Sequence, residues 1–559
     1  MNIKNIFVAA LIISITALAF IMRFYKLGQA PKGIYIDEAG QGYSAYSILK
    51  TGKDEFGKSY PIVFRSFTDF KTPIYIYTIV PLIPHFDLAP LTVRLPSFIF
   101  SIFTMPLIFL LIKKLTPQKI ALPLALLTTL LLAISPWHIL FGRTNFECNL
   151  ALFFFLSGVY AFYLSLNKPF LLALSSILFA IALPAYHSQR IVTPAILLLL
   201  VLRHRKTIFS KKYVRWTILS VMVGIILSLP TLSVMTTSGF LARAAGLNIF
   251  SYLRISAGYL QDYDGIFSSI INSRWFLSTQ EFAALYFSYL SPRHMFNLGD
   301  YGPRSSFPEL STFYVWQAPF WLYGLYVLLK NRFGEVKFFI ISLLLIAPIP
   351  AAVTRDPYST IRALPLVIPQ ILIISLGIIY SFQKVYHWSA KHNKEKVFLI
   401  GSTTASLFVI TYSIVKIHSS ALLLNEYFRA KEWDWGWEEV VKTLNTLDPS
   451  LPMIVDNARE EAHIELAFFL KYDPKQYQKE NFEVTNNEYY TNINRNTTIK
   501  LGNITTRPIN WNKDLKTKQY LVGDELAISH EQIKTHNLTL IREIRYPDKS
   551  VAFRVVQVN

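Results

Sequence analysis

Eleven runs of apolar residues, each long enough to be read as a bilayer-crossing helix, fall near 5–23, 90–112, 119–135, 147–166, 169–185, 190–202, 215–236, 313–329, 336–353, 361–382 and 396–417. A chain with that many such runs has few structural options. Inside lipid every backbone N–H and C=O must be satisfied within the protein, which favours helices that bond internally. Composition agrees: 52% of the residues are hydrophobic and only 16% charged, against about 25% charged in ordinary soluble chains. The expected class is a polytopic α-helical membrane protein with about eleven transmembrane helices. The runs near 169 and 190 are short and separated by Pro184 and Tyr186-His187-Ser188-Gln189-Arg190, so a re-entrant pair is the alternative there. The first run follows Lys4, but no small-residue cleavage pattern precedes Arg23, so it is expected to persist as the first span.

The formal net charge of +20 would suit nucleic acid, but its distribution points to a membrane. Counted through the spans, alternate connections hold Lys4; Lys113, Lys114 and Lys119; Lys168; the cations from Arg203 to Arg215; Lys330, Arg332 and Lys337; and Lys384 to Lys396. Short basic connections belong on the cytoplasmic side. The other set then faces outward: 24–89, 136–146, 186–189, 237–312, 354–360 and everything after 418. The single cysteine, Cys148, rules out an internal disulfide and a cysteine-rich metal site. No Gly-rich phosphate loop, dinucleotide fingerprint or HExxH is present.

The polar clusters that could carry chemistry all fall on the outward set. In the first outer loop Asp37 and Glu38 follow an apolar segment, and Phe70-Lys71-Thr72-Pro73 closes the same loop. A partly desolvated carboxylate is a better proton acceptor, while a lysine at the membrane face suits a lipid-borne phosphate. Capping of an interfacial helix running through Tyr43 to Leu49 competes as the reason for Asp37, and snorkelling competes for Lys71. Arg143 and Glu147 lie four apart at the start of a span, where a structural ion pair is the rival explanation. His187 and Arg190, then Arg355, Tyr358 and Arg362, complete the candidates, since guanidinium groups match phosphate oxygens with paired hydrogen bonds. The loop 237–312 should contain short amphipathic helices. Residues 1–418 are expected to form the transmembrane catalytic domain and 419–559 an extracytoplasmic α/β domain suited to acceptor binding. Within the latter, helices are expected over 432–447 and 459–470, strands over 453–455, 519–522, 538–544 and 551–558, and a loop over 486–503.

The order apolar helix, Asp37-Glu38, small residues with tyrosine, a Gly52-Lys53-Asp54 turn and then Phe70-Lys71-Thr72-Pro73 resembles the first extracytoplasmic loop of the protein O-mannosyltransferase and lipid A aminoarabinose transferase families. These are glycosyltransferase family 39-like members of the GT-C superfamily. The resemblance is best over 1–200, where the Arg143 to Glu147 segment also matches, and looser at 355–365. Lys-Thr-Pro stands where relatives often have Lys-Pro-Pro, which leaves the lysine in place. The resemblance implies a GT-C fold and an inverting single displacement from a polyprenyl-phosphate-linked sugar to a hydroxyl on a protein, lipid or glycan. Asp37 would be the base, with Glu38 beside it, and Lys71 and the outer arginines would bind the donor phosphate. Some members hold a divalent ion, for which Asp37, Glu38, Glu147 and His187 offer ligands, though no ligand spacing compels it. A transporter or lipid flippase is the rival class. Against it, the charges gather at one membrane face and no paired broken helices from two repeats are visible.

Overall fold

The computed structural model describes residues 3–67, 69–234, 237, 249, 266–271, 273–354, 357–459, 461–482, 489–490 and 498–559. Along the chain the main helices are α1 (Ile3–Phe24), α2 (Ile36–Thr51), α3 (Pro73–Ile79), α4 (Pro90–Leu115), α5 (Gln118–Ala133), α6 (Glu147–Ser165), α7 (Leu171–Ala185), α8 (Gln189–Ile208), α9 (Val214–Val234), α10 (Ala318–Lys330), α11 (Glu335–Ile346), α12 (Val367–Lys391), α13 (Glu395–His418), α14 (Trp437–Leu444), α15 (Ala462–Leu470) and α16 (Pro474–Asn481). Each of the eleven apolar runs contains a helix among its described residues. Among the described residues seven helices are both long and apolar enough to cross a membrane, while α5 and α7 are shorter apolar helices. Of the remaining expected spans, α8 ends in Arg203, Arg205 and Lys206, and α10 has 13 residues. In the loop expected to hold amphipathic helices, Ile266–Ile271 and Arg274–Ser288 are helical.

The chain divides into two compact units. The first comprises the described residues of Met1–Tyr25, Ser97–Met235 and Leu241–Ser420, and the second those of Lys26–Pro96, Thr236–Phe240 and Ala421–Asn559. This differs from the division expected at 418/419, because the loop after α1 packs with the C-terminal segment. The apolar periodicity that marks a span carries no information about a partner segment nearly four hundred residues away.

Inside the first unit, α10 and α12 cross where Gly324 faces Gly377. A Cβ on Gly324 would run into the backbone of Ile373, and one on Gly377 into that of Phe320. Small residues at such a crossing let two helices approach closely when no hydrophobic driving force separates helix from lipid.

The second unit contains a six-stranded sheet in the order β4-β5-β3-β6-β8-β7, built from β3 (Met453–Val455), β4 (Ile499–Leu501), β5 (Ile504–Thr506), β6 (Tyr520–Gly523), β7 (Thr539–Arg545) and β8 (Val551–Gln557). β3 is parallel to β5 and β6, and the other pairings are antiparallel. Ile454, Leu521, Ile528, Leu538, Val556 and Val558 form one buried cluster. The expected strands at 453–455, 519–522, 538–544 and 551–558 are present within a residue or so. β4 begins inside the stretch expected to be loop; residues 483–488 and 491–497 of that neighbourhood lie outside the described residues. A two-stranded hairpin, β1 (Phe64–Ser66) with β2 (Asp69–Lys71), completes the unit.

Candidate functional site

Two local decisions of the backbone position Asp37 and Lys71 in the loop after α1. Asp37 sits in the first turn of α2, where a carboxylate is favoured by the helix dipole. Lys71 ends β2 in register with Phe64, and Thr72 is extended ahead of Pro73, which opens α3 as its first residue. The lysine is thereby held on a stiff corner, and its Nζ lies 2.9 Å from Asp37 Oδ1. The side chains are 10% and 23% exposed, so the pair is sheltered yet reachable. The base and the cation expected from sequence are thus brought together, and in direct contact.

Glu38 has a different surrounding. It is fully buried, and Arg94 Nε and Nη2 donate to its two oxygens at 3.0 and 2.6 Å. Arg94, also fully buried, donates further to the carbonyls of Pro31 and Gly33 at 2.9 and 2.8 Å. The Tyr35 N–H donates to Glu38 Oε2 at 3.3 Å, so Glu38 is the acid that closes the helix start. The Ile36 N–H is taken by Asp434 Oδ2 at 3.0 Å. This separates the two adjacent carboxylates: Glu38 organises the N-terminus of α2, and Asp37 stays at the open side. Helix capping, weighed for Asp37, falls to Glu38 and Asp434. Arg94 was not a candidate from sequence, although a lone arginine inside an apolar run is the signal that marks it.

Tyr43 is buried on α2, donates to the Tyr472 carbonyl at 3.0 Å and meets Tyr477 edge-on, so it locks α2 to the C-terminal segment. Below it lies a buried group the sequence reading missed. Burial pushes the Asp54 carboxyl up to about 6, even though Tyr489 Oη donates to its Oδ2 at 2.5 Å and the Phe56 and Lys58 N–H groups donate to its Oδ1. Burial likewise raises the neighbouring Glu55 well above the usual carboxylate range, with the Asp54 charge adding to the effect.

The remaining candidates belong to the first unit. Arg143 is buried, and its Nη1 donates to the carbonyls of Met22, Arg23 and Tyr25 at 3.2, 3.0 and 2.9 Å. It therefore satisfies the carbonyls at the C-terminal end of α1. Glu147 is buried in the first turn of α6. His187 is half-buried in the turn before α8, and Arg190 is half-buried in the first turn of that helix. Tyr358 is fully buried with φ at 55°, a backbone region that costs a bulky residue energy and recurs at functional sites. Its hydroxyl shares a 2.9 Å hydrogen bond with Thr312, and its ring stacks on Tyr289 and His294 at 5.5 and 5.3 Å. Next to it the Thr360 N–H and hydroxyl both donate to Asp300 Oδ2 at 2.7 Å. Burial raises the Asp300 carboxyl, and the charge of the half-buried Arg362 works against that rise. Arg355 lies outside the described residues. For a metal, no group of three or more His, Cys, Asp or Glu side chains is assembled among the described residues, and Glu38 is committed to Arg94.

Residues 73–233 match a family model described as dolichyl-phosphate-mannose-protein mannosyltransferase. The segment opens at Pro73, just after Lys71 and Thr72. No curated protein matches the chain. Among solved structures, ArnT from Cupriavidus metallidurans aligns at 10% identity over 98% of this chain: in the apo state with 98% of its own length and a TM-score of 0.51, and bound to undecaprenyl phosphate with 97% and 0.52. The Archaeoglobus fulgidus oligosaccharyltransferase, tethered with an acceptor peptide containing the NVT sequon, aligns at 12% identity over 94% of this chain and 70% of its own, with a TM-score of 0.51. Likenesses at such identities concern the fold. What they show for this chain is a GT-C fold, with apolar helices and a C-terminal sheet domain.

Proposed function

We propose that the chain transfers a hexosyl or pentosyl group from a polyprenyl-phosphate donor to an acceptor hydroxyl on a protein, lipid or glycan, at the extracytoplasmic membrane face, with inversion. The observation that carries the reading is the half-sheltered contact of Asp37 with Lys71. In the displacement the acceptor oxygen forms a bond to the anomeric carbon while the bond from that carbon to the phosphate oxygen breaks. The acceptor proton goes to Asp37, and the electron pair leaves with the polyprenyl phosphate, whose charge Lys71 neutralises. A phosphate is a stable leaving group, so no general acid is needed. A donor phosphate competes with Asp37 for the Lys71 ammonium, and a carboxylate that shares the cation is the better proton acceptor. The bound undecaprenyl phosphate of the ArnT structure supports the donor class. For Arg190 and Arg362 the proposed phosphate-binding role rests on guanidinium chemistry, while Arg143 is given the structural role its three carbonyl partners support.

The test is incubation of the purified protein with a panel of polyprenyl-phosphate sugars, reading release of polyprenyl phosphate and the configuration of the product. Asp37→Asn is expected to abolish turnover with the melting temperature retained. Undiminished turnover in that variant would overturn the assignment of the base.

A further inference from the structure

The helices α7, α8 and α9 of the first unit line an open-sided cavity of about 430 Å³ that the proposed chemistry does not use. Leu183, Leu197, Val201, Val221, Ile225 and Leu232 are among its apolar walls. Six hydroxyl side chains also line it, and five of them are already engaged. Ser175 donates to the Gly158 carbonyl, Ser176 to that of Ser220, Thr217 to that of Ile208, Ser220 to that of Trp216, and Thr193 to the Gln189 side chain. The walls therefore offer a ligand almost nothing but hydrocarbon, which argues against a sugar, a nucleotide or clustered water.

One end of the cavity is marked by charge. Ile208 and Thr217 line it there and flank the turn joining α8 to α9. Arg203, Arg205, Lys206, Lys211, Lys212 and Arg215 crowd this turn. Arg203 is paired with Glu335, but the other five are exposed and none has a carboxylate partner among the described residues. Arg190, a proposed ligand for the donor phosphate, stands at the opposite end of α8.

We propose that this cavity holds an acyl chain of an anionic glycerophospholipid whose headgroup phosphate sits on the basic turn. Each part matches one part of the lipid: a predominantly apolar slot, five of whose six hydroxyls are already engaged, for the chain, and a cluster of uncompensated cations for the phosphate at the membrane surface. The headgroup lies at the end of α8 away from Arg190, so this lipid is distinct from the glycosyl donor.

Native mass spectrometry of the full-length protein in detergent tests this, with dioleoyl phosphatidylglycerol, dioleoyl phosphatidylcholine and undecaprenyl phosphate as probes. Wild type is expected to retain phosphatidylglycerol in preference to phosphatidylcholine. Removing Arg205, Lys206, Lys211 and Lys212 together as alanines is expected to erase that preference, by about fivefold for each charge lost. Lys211→Ala/Lys212→Ala, confined to the exposed turn, carries the same test if the fourfold variant does not fold. Ser228→Phe, which places a ring in the slot, is expected to weaken retention of both phospholipids. Equal retention of the two phospholipids by wild type, or an unaltered preference in the charge variants, would overturn the proposal. Displacement of phosphatidylglycerol by undecaprenyl phosphate at equal concentration would instead assign the slot to the donor's tail. None of these readouts depends on glycosyl transfer.

Discussion

The pairing of Glu38 with Arg94 makes a quantitative prediction about what the second carboxylate of the loop is for. Both side chains are fully buried, so removing one strands the other. Arg94→Met leaves a desolvated carboxylate, at a cost of about 3–5 kcal/mol. The carbonyls of Pro31 and Gly33 also lose their donor, adding on the order of 1 kcal/mol each. That sum approaches the whole stability of a typical domain, about 5–15 kcal/mol. Glu38→Gln keeps an acceptor for the Tyr35 N–H and is expected to cost less, about 3 kcal/mol, because the guanidinium retains its two carbonyls. Combining Glu38→Gln with Arg94→Met removes the stranded charge, so the double variant is expected to be more stable than the sum of the singles by about 2 kcal/mol. The assay is urea-dependent protease susceptibility of the purified protein in detergent, with release of polyprenyl phosphate followed in parallel. Two results would refute the reasoning. Glu38→Gln with wild-type stability and no turnover would make Glu38 a reacting group, and strict additivity would show that the buried pair is not one energetic unit.

Other consequences are equally direct. Lys71→Ala should reduce donor use more than stability, visible as weakened undecaprenyl-phosphate binding at a nearly unchanged melting temperature. Asp54 has a folded-state value near 6, above its unfolded value of about 3.9. The stability it contributes is therefore present below about pH 4 and lost as pH rises through 6; Asp54→Asn should flatten the fall in urea midpoint between pH 5 and 7.5 relative to wild type. Gly42→Ala puts a Cβ 2.6 Å from Val93 Cγ1 and 2.7 Å from Phe468 Cε2, so it should loosen α2 from α15 and lower the urea midpoint of the second unit. Gly324→Ala should disrupt the crossing of α10 with α12 and lower the yield of folded protein from membranes.

The helices were legible because apolar length is a local signal: each of the eleven runs contains a helix, and seven of the helices among the described residues are long and apolar enough to span a membrane. α2 was legible too: the expectation of a helix from Asp37 past Tyr43 to Leu49 matches Ile36–Thr51. The four strands read from sequence are apolar runs bounded by polar turns, whereas β4 and β5 have three residues each and lie in or beside an Asn-rich stretch with too few positions for a period. The Asp37 and Lys71 pairing was suggested by residue type and order, but its partners' geometry was not. Glu38 could not be separated from Asp37 by inspection, because what distinguishes them is Arg94, 56 positions away. Arg143 shows the same limit in reverse: its spacing to Glu147 drew attention to a helix pair, while its Nη1 serves carbonyls over a hundred residues earlier.

The start of α2 is finished by Asp434, the Arg65 N–H by the Tyr489 hydroxyl and the Tyr43 hydroxyl by Tyr472. All three partners emerge from the ribosome only after the last apolar helix has been made. During synthesis the loop after α1 must therefore wait for these partners until α13 has been made. The surroundings of Asp37 and Lys71 are therefore completed only once residues 434–489 have been made, so a chain interrupted after α13 would hold that loop without its partners.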